Sequence, residues 1–378
     1  MPSSRTLVLL GIGHTNAEVV RRWIKRPIAD TRLVCISKFP FATYSGMLPG
    51  TLSRQFEPTE MQIDLRALTK RAGAELILDE VTELDPATRT LHFAKRDALP
   101  FDVLSVGVGS MPAGWRDHRS PALVPIKPMQ TFPSRLEERL GDGAGPKRCV
   151  IVGGGVAGVE VALCLDAGLA KRGLAERGQP QSYSITILTS GPQIADGMTN
   201  RSRRKLREIL RARGIEVRTD YRVKEVDERS VGNGQDEPIA ADVIIWATGA
   251  AAPPVLGRLG LATDERGFLA LNPRLQSTDA EPIFAVGDCG TILQHPAPKA
   301  GVFAVRQAPV LWHNLRAALG AETAYQTYRP QSGFMKILNT GHGKALLEYK
   351  GHSAHARWCW WLKCWIDKRF VAKYQFRE

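Results

Sequence analysis

The chain is poor in cysteine. Among its 378 residues there are six, at positions 35, 149, 164, 289, 359 and 364. They are too sparse for a disulfide scaffold and show no zinc-site spacing, so a reducing compartment and no metal are expected. No run of eighteen apolar residues occurs, which argues against a transmembrane helix. The apolar run near the start, residues 6–10, is too short for a signal peptide and leads straight into a glycine turn. There is no tandem repeat and no low-complexity tract. Acidic residues are in deficit: 51 Lys and Arg face 38 Asp and Glu, a net charge of +13 with a pI near 9.6. That excess asks for an anionic partner, which can be nucleic acid, a phosphate-rich cofactor or an anionic membrane. Hydrophobic residues make up 43% and charged residues 24%, which excludes disorder. At about 150 residues per domain the length allows two to three domains.

What the sequence has is one pattern written twice: strand, glycine turn, helix, strand. The first copy runs from a short apolar strand at 6–10 through Gly11-Ile-Gly13 into a helix ending near Lys25, then a strand at 32–36. The second runs from 148–152 through Gly153-Gly-Gly155-Val-Ala-Gly158 into a long helix and a strand at 184–188. Short continuous apolar strands joined by helices are the mark of a parallel sheet covered on both faces. The expected fold class is therefore α/β, with two Rossmann-like dinucleotide-binding domains in series. Residues 116–146 carry many Pro, Gly and charged residues and read as the crossing between them. A strand at 241–249 closes the second unit, and Pro253-Pro254 marks the return.

The glycines have a physical role. The first permits a tight turn, the second lets the backbone approach a pyrophosphate, and the third lets helix and strand pack closely, with the helix N-terminus facing the anion. The copy at Gly153, Gly155 and Gly158 is complete, and Glu160 follows at once. The copy at Gly11 and Gly13 has Asn16 in the third position. Neither unit has an acidic residue after its second strand, where a ribose would be held: Ser37 stands there in the first, Thr189-Ser190 in the second. A hydroxyl can replace the acid, or Arg201, Arg203 and Arg204 can reach a 2′-phosphate, so NADH and NADPH both remain open. The alternative for those arginines is a solvated helix face over 201–213.

These turns, together with Ala247-Thr-Gly249 and Ile283-Phe-Ala-Val-Gly-Asp288, resemble the two-dinucleotide-domain superfamily of pyridine nucleotide–disulfide oxidoreductases over roughly residues 5–320. The resemblance implies an FAD domain formed by 1–115 and 255–325, an NAD(P)H domain inserted at 116–254, and a C-terminal segment at 326–378. It implies that FAD lies on Gly11, Gly13, His14, Ser37, Gly109, Gly287 and Asp288, with Asp288 bonding the ribitol. The helix start at Lys299, Ala300 and Gly301 would point at the flavin pyrimidine, where a helix N-terminus stabilises negative charge. The nicotinamide nucleotide, NADH by resemblance, would lie on Gly153, Gly155, Gly158, Thr248 and Gly249.

Within the superfamily the chain is similar to type II NADH:quinone oxidoreductases. There Glu160 corresponds to a glutamate near nicotinamide and quinone, which implies a catalytic role. Local segments around Tyr44–Gly50 and Pro298–Gln307 are similar to a subgroup often fused to selenophosphate synthetase, which raises selenium or sulfur compounds as alternative acceptors. Sulfide:quinone oxidoreductases are also similar but work through cysteines flanking the flavin, and Cys289, beside Asp288, has no evident partner. The two glutamines of the family's quinone motif are replaced by Val302 and Arg306. An acceptor pocket is expected from Tyr44, Met47, Val302, Phe303 and Arg306, with Trp312 as a further wall. A redox-inactive, nucleotide-sensing protein is the alternative of another class.

Near the C-terminus, Trp358, Trp361, Leu362, Trp365, Ile366 and Phe370 share one face of a helix at 100° per residue, with Lys363, Asp367 and Lys368 outside it. Arg369 falls within that face and would have to snorkel. A basic amphipathic helix with tryptophans on one side suits an in-plane membrane anchor on the cytoplasmic face. The alternatives are packing on the body or on a second copy in a homodimer. Nucleic-acid binding has no motif behind it and is not expected.

Overall fold

The computed structural model describes residues 5–141, 147–176 and 183–375. Six helices frame the sheets and the C-terminal segment: α1 (His14–Lys25), α2 (Phe132–Leu140), α3 (Val156–Glu176), α4 (Asn200–Ala212), α5 (Gly301–Ala318) and α6 (Arg357–Val371). Strands are named by their residues.

Two five-stranded sheets organise the chain. The first has the order Ile283–Ala285, Val103–Val106, Arg5–Leu10, Thr31–Ser37, Glu75–Leu78, with every neighbour parallel. Leu7, Val8 and Leu9 are fully buried in succession, because helices cover both faces of the sheet. On one face α1 packs on α5, with the Trp23 and Trp312 rings edge to face at 6.5 Å. The second sheet has the order Leu123–Pro125, Val243–Trp246, Lys147–Val152, Tyr183–Leu188, Glu216–Arg218, again all parallel. In both, the strand before the glycine turn is central and its helix leads to the next strand outward, as a right-handed crossover demands.

The stretch 116–146 is more than a crossing. It supplies Leu123–Pro125, an edge strand of the second sheet, and then α2, whose Phe132, Leu136 and Leu140 are buried. The chain passes between the sheets twice, at Met111–Pro112 and Ala250–Ala251, and these passages pair as an antiparallel ribbon. The Thr248 hydroxyl and the Trp246 indole both donate to the Ala113 carbonyl, at 2.7 and 2.8 Å.

Past residue 326 a three-stranded antiparallel meander forms, Lys336–Asn339, Ala345–Tyr349 and His352–Ala356, and α6 packs on it. The meander also packs on α3. The face that α6 buries differs from expectation. Lys363 and Asp367, placed outside the apolar face by periodicity, are buried together with Cys359, Phe370 and Val371. Trp358, Trp361 and Trp365 are 51, 63 and 59% exposed, so the tryptophan stripe does not pack on the body. Leu362 and Ile366 are half-buried beside it. Arg369 is exposed, with its guanidinium 5.3 Å from the Trp365 ring centre. Among the described residues no helix is long and apolar enough to cross a membrane.

Candidate active site

The first glycine turn is built for an anion. Gly11 has φ +81°, and a Cβ there would lie 2.7 Å from the Gly107 carbonyl oxygen. Gly13 caps α1 without a side-chain hydrogen bond, so the first-turn N–H groups stay free for a ligand. Asn16, in the position where a third glycine was expected, holds the turn with its side chain. Its Nδ2 donates to the Gly11 carbonyl at 2.8 Å, and the Ser105 hydroxyl donates to its Oδ1 at 2.9 Å. Ser37 ends its strand as expected, but its hydroxyl donates locally to the Phe39 carbonyl at 2.8 Å.

His14, Asp288 and the start of α5 converge beside this turn. His14 is half-buried and its Nε2 is buried without a partner, 3.9 Å from where a Cβ on Gly301 would sit. Burial lowers its pKa to about 4; Asp288 works against that shift and Lys127 adds to it. Asp288 Oδ2 accepts from the Ser110 hydroxyl at 2.8 Å. Gly287 carries φ +69°, and its N–H donates to Gln307 Oε1 at 2.6 Å. Gln307 is thus a site residue that pattern reading had not singled out. Ala300 is the N-cap of α5 and makes no side-chain cap, which leaves that N-terminus open toward Ser45 and His14. The Lys299 side chain turns away: Nζ donates to the Gly290 carbonyl at 2.6 Å and the Thr291 hydroxyl at 2.8 Å and lies 4.0 Å from the Phe268 ring centre. Gly109 has φ +75° and open space around it. Two uncapped helix starts, a glycine cradle and an imidazole whose buried Nε2 has no partner fit FAD, and Gly11, Gly13, His14, Asp288 and Gly301 are the residues that would hold it.

The second turn is tighter. Gly153 has φ +125°, and a Cβ would lie 2.4 Å from the Ala247 carbonyl oxygen. At Gly158 a Cβ would lie 1.8 Å from the Gly153 oxygen, while Gly155 is exposed with nothing within 4 Å. Gly155 and the start of α3 therefore leave room for a second pyrophosphate. Thr248 spends its hydroxyl on the domain passage, and Gly249 beside it is open. Arg203, Arg204 and Arg207 line a shallow cleft with Gln193 and Asn200, and Arg201, Arg204 and Arg207 are exposed.

Glu160, on the second turn of α3, points into a buried polar cluster that joins all three parts of the fold. Its Oε1 accepts from the Asn339 backbone N–H at 2.7 Å. Lys363 of α6 lies 3.1 Å from Asp367 Oδ2 and donates to the Gly46 carbonyl at 2.9 Å. The Tyr44 hydroxyl donates to Asp367 Oδ1 at 3.1 Å. Burial raises the Glu160 pKa, with Lys363 working against the shift. Asp367 is raised by burial too, again opposed by Lys363. Burial would lower Lys363, but the Glu160 and Asp367 carboxylates outweigh it and raise that pKa. Gln55 Oε1 accepts from Asn339 Nδ2 at 2.7 Å and from the Trp360 indole at 2.9 Å, which closes the cluster. Lys363, Asp367, Asn339 and Gln55 were not singled out from the sequence. The sequence places Lys363 and Asp367 only outside the apolar face of the C-terminal helix, where charged residues ordinarily face solvent.

The expected acceptor residues separate into two groups. Tyr44 stacks on Phe370 at 4.3 Å and lies 5.4 Å from the His14 ring. Val302 is half-buried, Arg306 is exposed and Phe303 is buried against the Phe334 ring at 5.7 Å. Met47 and Trp312 belong to the core instead, 1 and 8% exposed, so neither walls an open pocket. All six cysteines are free. The Cys289 thiol is buried, donates to the Val286 carbonyl at 3.1 Å, and is raised by burial.

A family model described as pyridine nucleotide-disulphide oxidoreductase matches residues 7–314. The NADH dehydrogenase-like protein YutJ of Bacillus subtilis is 23% identical over 305 residues, 78% of this chain and 79% of that protein. Demethylphylloquinone reductase NdbB of Synechocystis is 25% identical over 288 residues, 73% of this chain and 65% of that protein. Among solved structures, sulfide:quinone oxidoreductase from Aquifex aeolicus matches with a TM-score of 0.79 at 18% identity, covering 98% of this chain and 91% of that one. NDH2 from Plasmodium falciparum in complex with NADH matches with a TM-score of 0.80 at 13% identity, covering 99 and 100%.

Proposed function

Since the chain belongs to the pyridine nucleotide-disulphide oxidoreductase family, we propose that it is an FAD-dependent NAD(P)H oxidoreductase whose electrons go to a quinone-like acceptor at a membrane surface. FAD, which Gly11, Gly13, His14, Asp288 and Gly301 would hold, would supply hydride- and electron-transfer chemistry. The chain's residues bind, orient and manage protons. The first glycine turn and Asp288 hold one dinucleotide, and the second turn holds the other. The observation that carries the reading is the convergence of Glu160, Lys363, Asp367 and Tyr44 where the two nucleotide sites meet the C-terminal unit. A carboxyl group raised by burial beside an ammonium can hold or release a proton as an acceptor is reduced. The dithiol alternative finds no support in the cysteines, which are unpaired and, except for half-buried Cys364, buried.

Names among the relatives, a demethylphylloquinone reductase and a sulfide:quinone oxidoreductase, support a quinone acceptor. The exposed Trp358, Trp361 and Trp365 support docking of α6 at the lipid interface, where tryptophan is favoured. The segments similar to the synthetase-fused subgroup keep selenium and sulfur compounds among the acceptors to be screened.

The test is anaerobic. NADH and NADPH are added separately to the flavin-loaded chain, loss of the flavin absorbance is followed, and an acceptor panel is then supplied. Bleaching by a nicotinamide and recovery by a quinone are expected. No bleaching by either nucleotide sinks the proposal. Glu160→Gln should leave FAD bound and slow acceptor turnover by about 10²-fold, the scale of a lost general acid–base group.

A further inference from the structure

Lys127 follows Leu123–Pro125, an edge strand of the second sheet, and precedes α2. Its ammonium leaves that unit and reaches into the first. Nζ donates to the Ser110 hydroxyl at 2.7 Å and lies 3.3 Å from Asp288 Oδ2, the same oxygen that Ser110 Oγ bonds. The two ionic side chains are 26 and 21% exposed, so solvent screens them only in part. His14, the first residue of α1, feels both charges, which sets the trio beside the uncapped start of that helix.

The charge balance of this corner is unfavourable without Lys127. A pyrophosphate seated on the first glycine turn would bring two negative charges to a helix start whose first residue, His14, already feels the Asp288 charge. Like charges in a partly desolvated site repel more than they do in water. One cation, hydrogen-bonded through Ser110 and aimed at the carboxylate, offsets that repulsion and fixes the Asp288 side chain. No sequence motif marks this residue; only the passage of the chain between the sheets brings it here.

We infer that Lys127 is a cofactor-positioning residue, lent by the nicotinamide-side unit to the flavin-side unit, which holds the Asp288 carboxylate in place for FAD and ties FAD retention to the seating of one unit on the other. This rests on the flavoprotein reading above.

The test reads FAD affinity rather than turnover. The full chain is stripped of flavin and titrated with FAD, following quenching of flavin fluorescence, for the wild type, Lys127→Met and Lys127→Arg. Lys127→Met should bind FAD about tenfold more weakly or worse, the scale of one lost charge-assisted contact. Lys127→Arg should recover most of the loss, which a purely steric role would not produce. In an Asp288→Asn background, Lys127→Met should cost little more. Wild-type affinity in Lys127→Met, or no rescue by arginine, overturns the inference. If Lys127→Met does not fold, Ser110→Ala removes the bridging hydroxyl and should weaken FAD a few-fold; unchanged affinity there also overturns it. A wild-type chain that takes up no FAD overturns the flavoprotein reading itself, whereas uptake equal in wild type and Lys127→Met overturns the inference alone.

Discussion

Lys363 stands between carboxyl groups that burial makes costly. Its side chain is 11% exposed and that of Asp367 is 5% exposed. Removing one partner of such a pair strands the other, at about 3–5 kcal/mol. Lys363→Met should therefore lower unfolding stability by that order in urea denaturation. The double variant Lys363→Met with Asp367→Leu should recover part of it, because Asp367 is then no longer stranded while Glu160 still lacks its cation. A single variant as stable as the wild type would show the cluster to be well hydrated. At the same scale Asn16 shows how a fingerprint departure is absorbed. Where a glycine would let helix and strand approach, the amide bonds the turn carbonyl and receives the Ser105 hydroxyl. The turn survives by hydrogen bonding rather than by a missing side chain.

At the scale of elements, α6 is amphipathic in a sense that hydropathy alone misreads. Its tryptophans face outward and its Lys363–Asp367 pair faces inward. The interior accepts that pair because Gly46, Tyr44 and Glu160 supply an acceptor, a donor and a compensating charge. An exposed row of three tryptophans bordered by Lys368, Arg369 and Lys373 suits the proposed lipid interface, where each cation would be worth on the order of 1 kcal/mol near an anionic leaflet. Replacing Trp358, Trp361 and Trp365 by serine should reduce cosedimentation with anionic lipid vesicles by about tenfold or more, with the melting temperature unchanged. Undiminished vesicle binding would direct attention to a protein partner or a second copy.

For the whole molecule, the C-terminal unit is a structural third of the site rather than a detachable anchor. Its meander supplies Asn339 to Glu160, and a Cβ on Gly341 would lie 2.6 Å from Ala167 Cβ of α3. A chain ending at residue 325 would uncover α3 and strand Glu160. It should aggregate or melt well below the full-length protein in differential scanning calorimetry. A truncated form that stays soluble, FAD-loaded and equally stable would mean that the unit serves membrane attachment alone.

Two sheets, their central strands and both glycine turns could be read directly from the chain, because these are local matters: short apolar runs, turns that admit no Cβ, and helix starts placed at fixed offsets. The edge strand Leu123–Pro125 and the terminal meander escaped that reading. They are short: Leu123–Pro125 is a strand through pairing with distant Val243–Trp246, and the meander strands through pairing with one another, not through their own periodicity. The same division holds for the site. Gly11 and Gly153 announce themselves by spacing, Glu160 and Asp288 by resemblance to the family. Lys127, Asn339, Lys363 and Asp367 meet their partners only because the fold brings remote segments together, Lys127 to Asp288 and the other three to the cluster around Glu160. The basic excess divides likewise. Seven basic residues in 201–213 oppose Glu208 alone and mostly face solvent on α4, as a charge run on a helix does. Lys127 and Lys363 look no different in the sequence, yet tertiary structure turns them inward, because a buried carboxylate is stable only with a cation beside it.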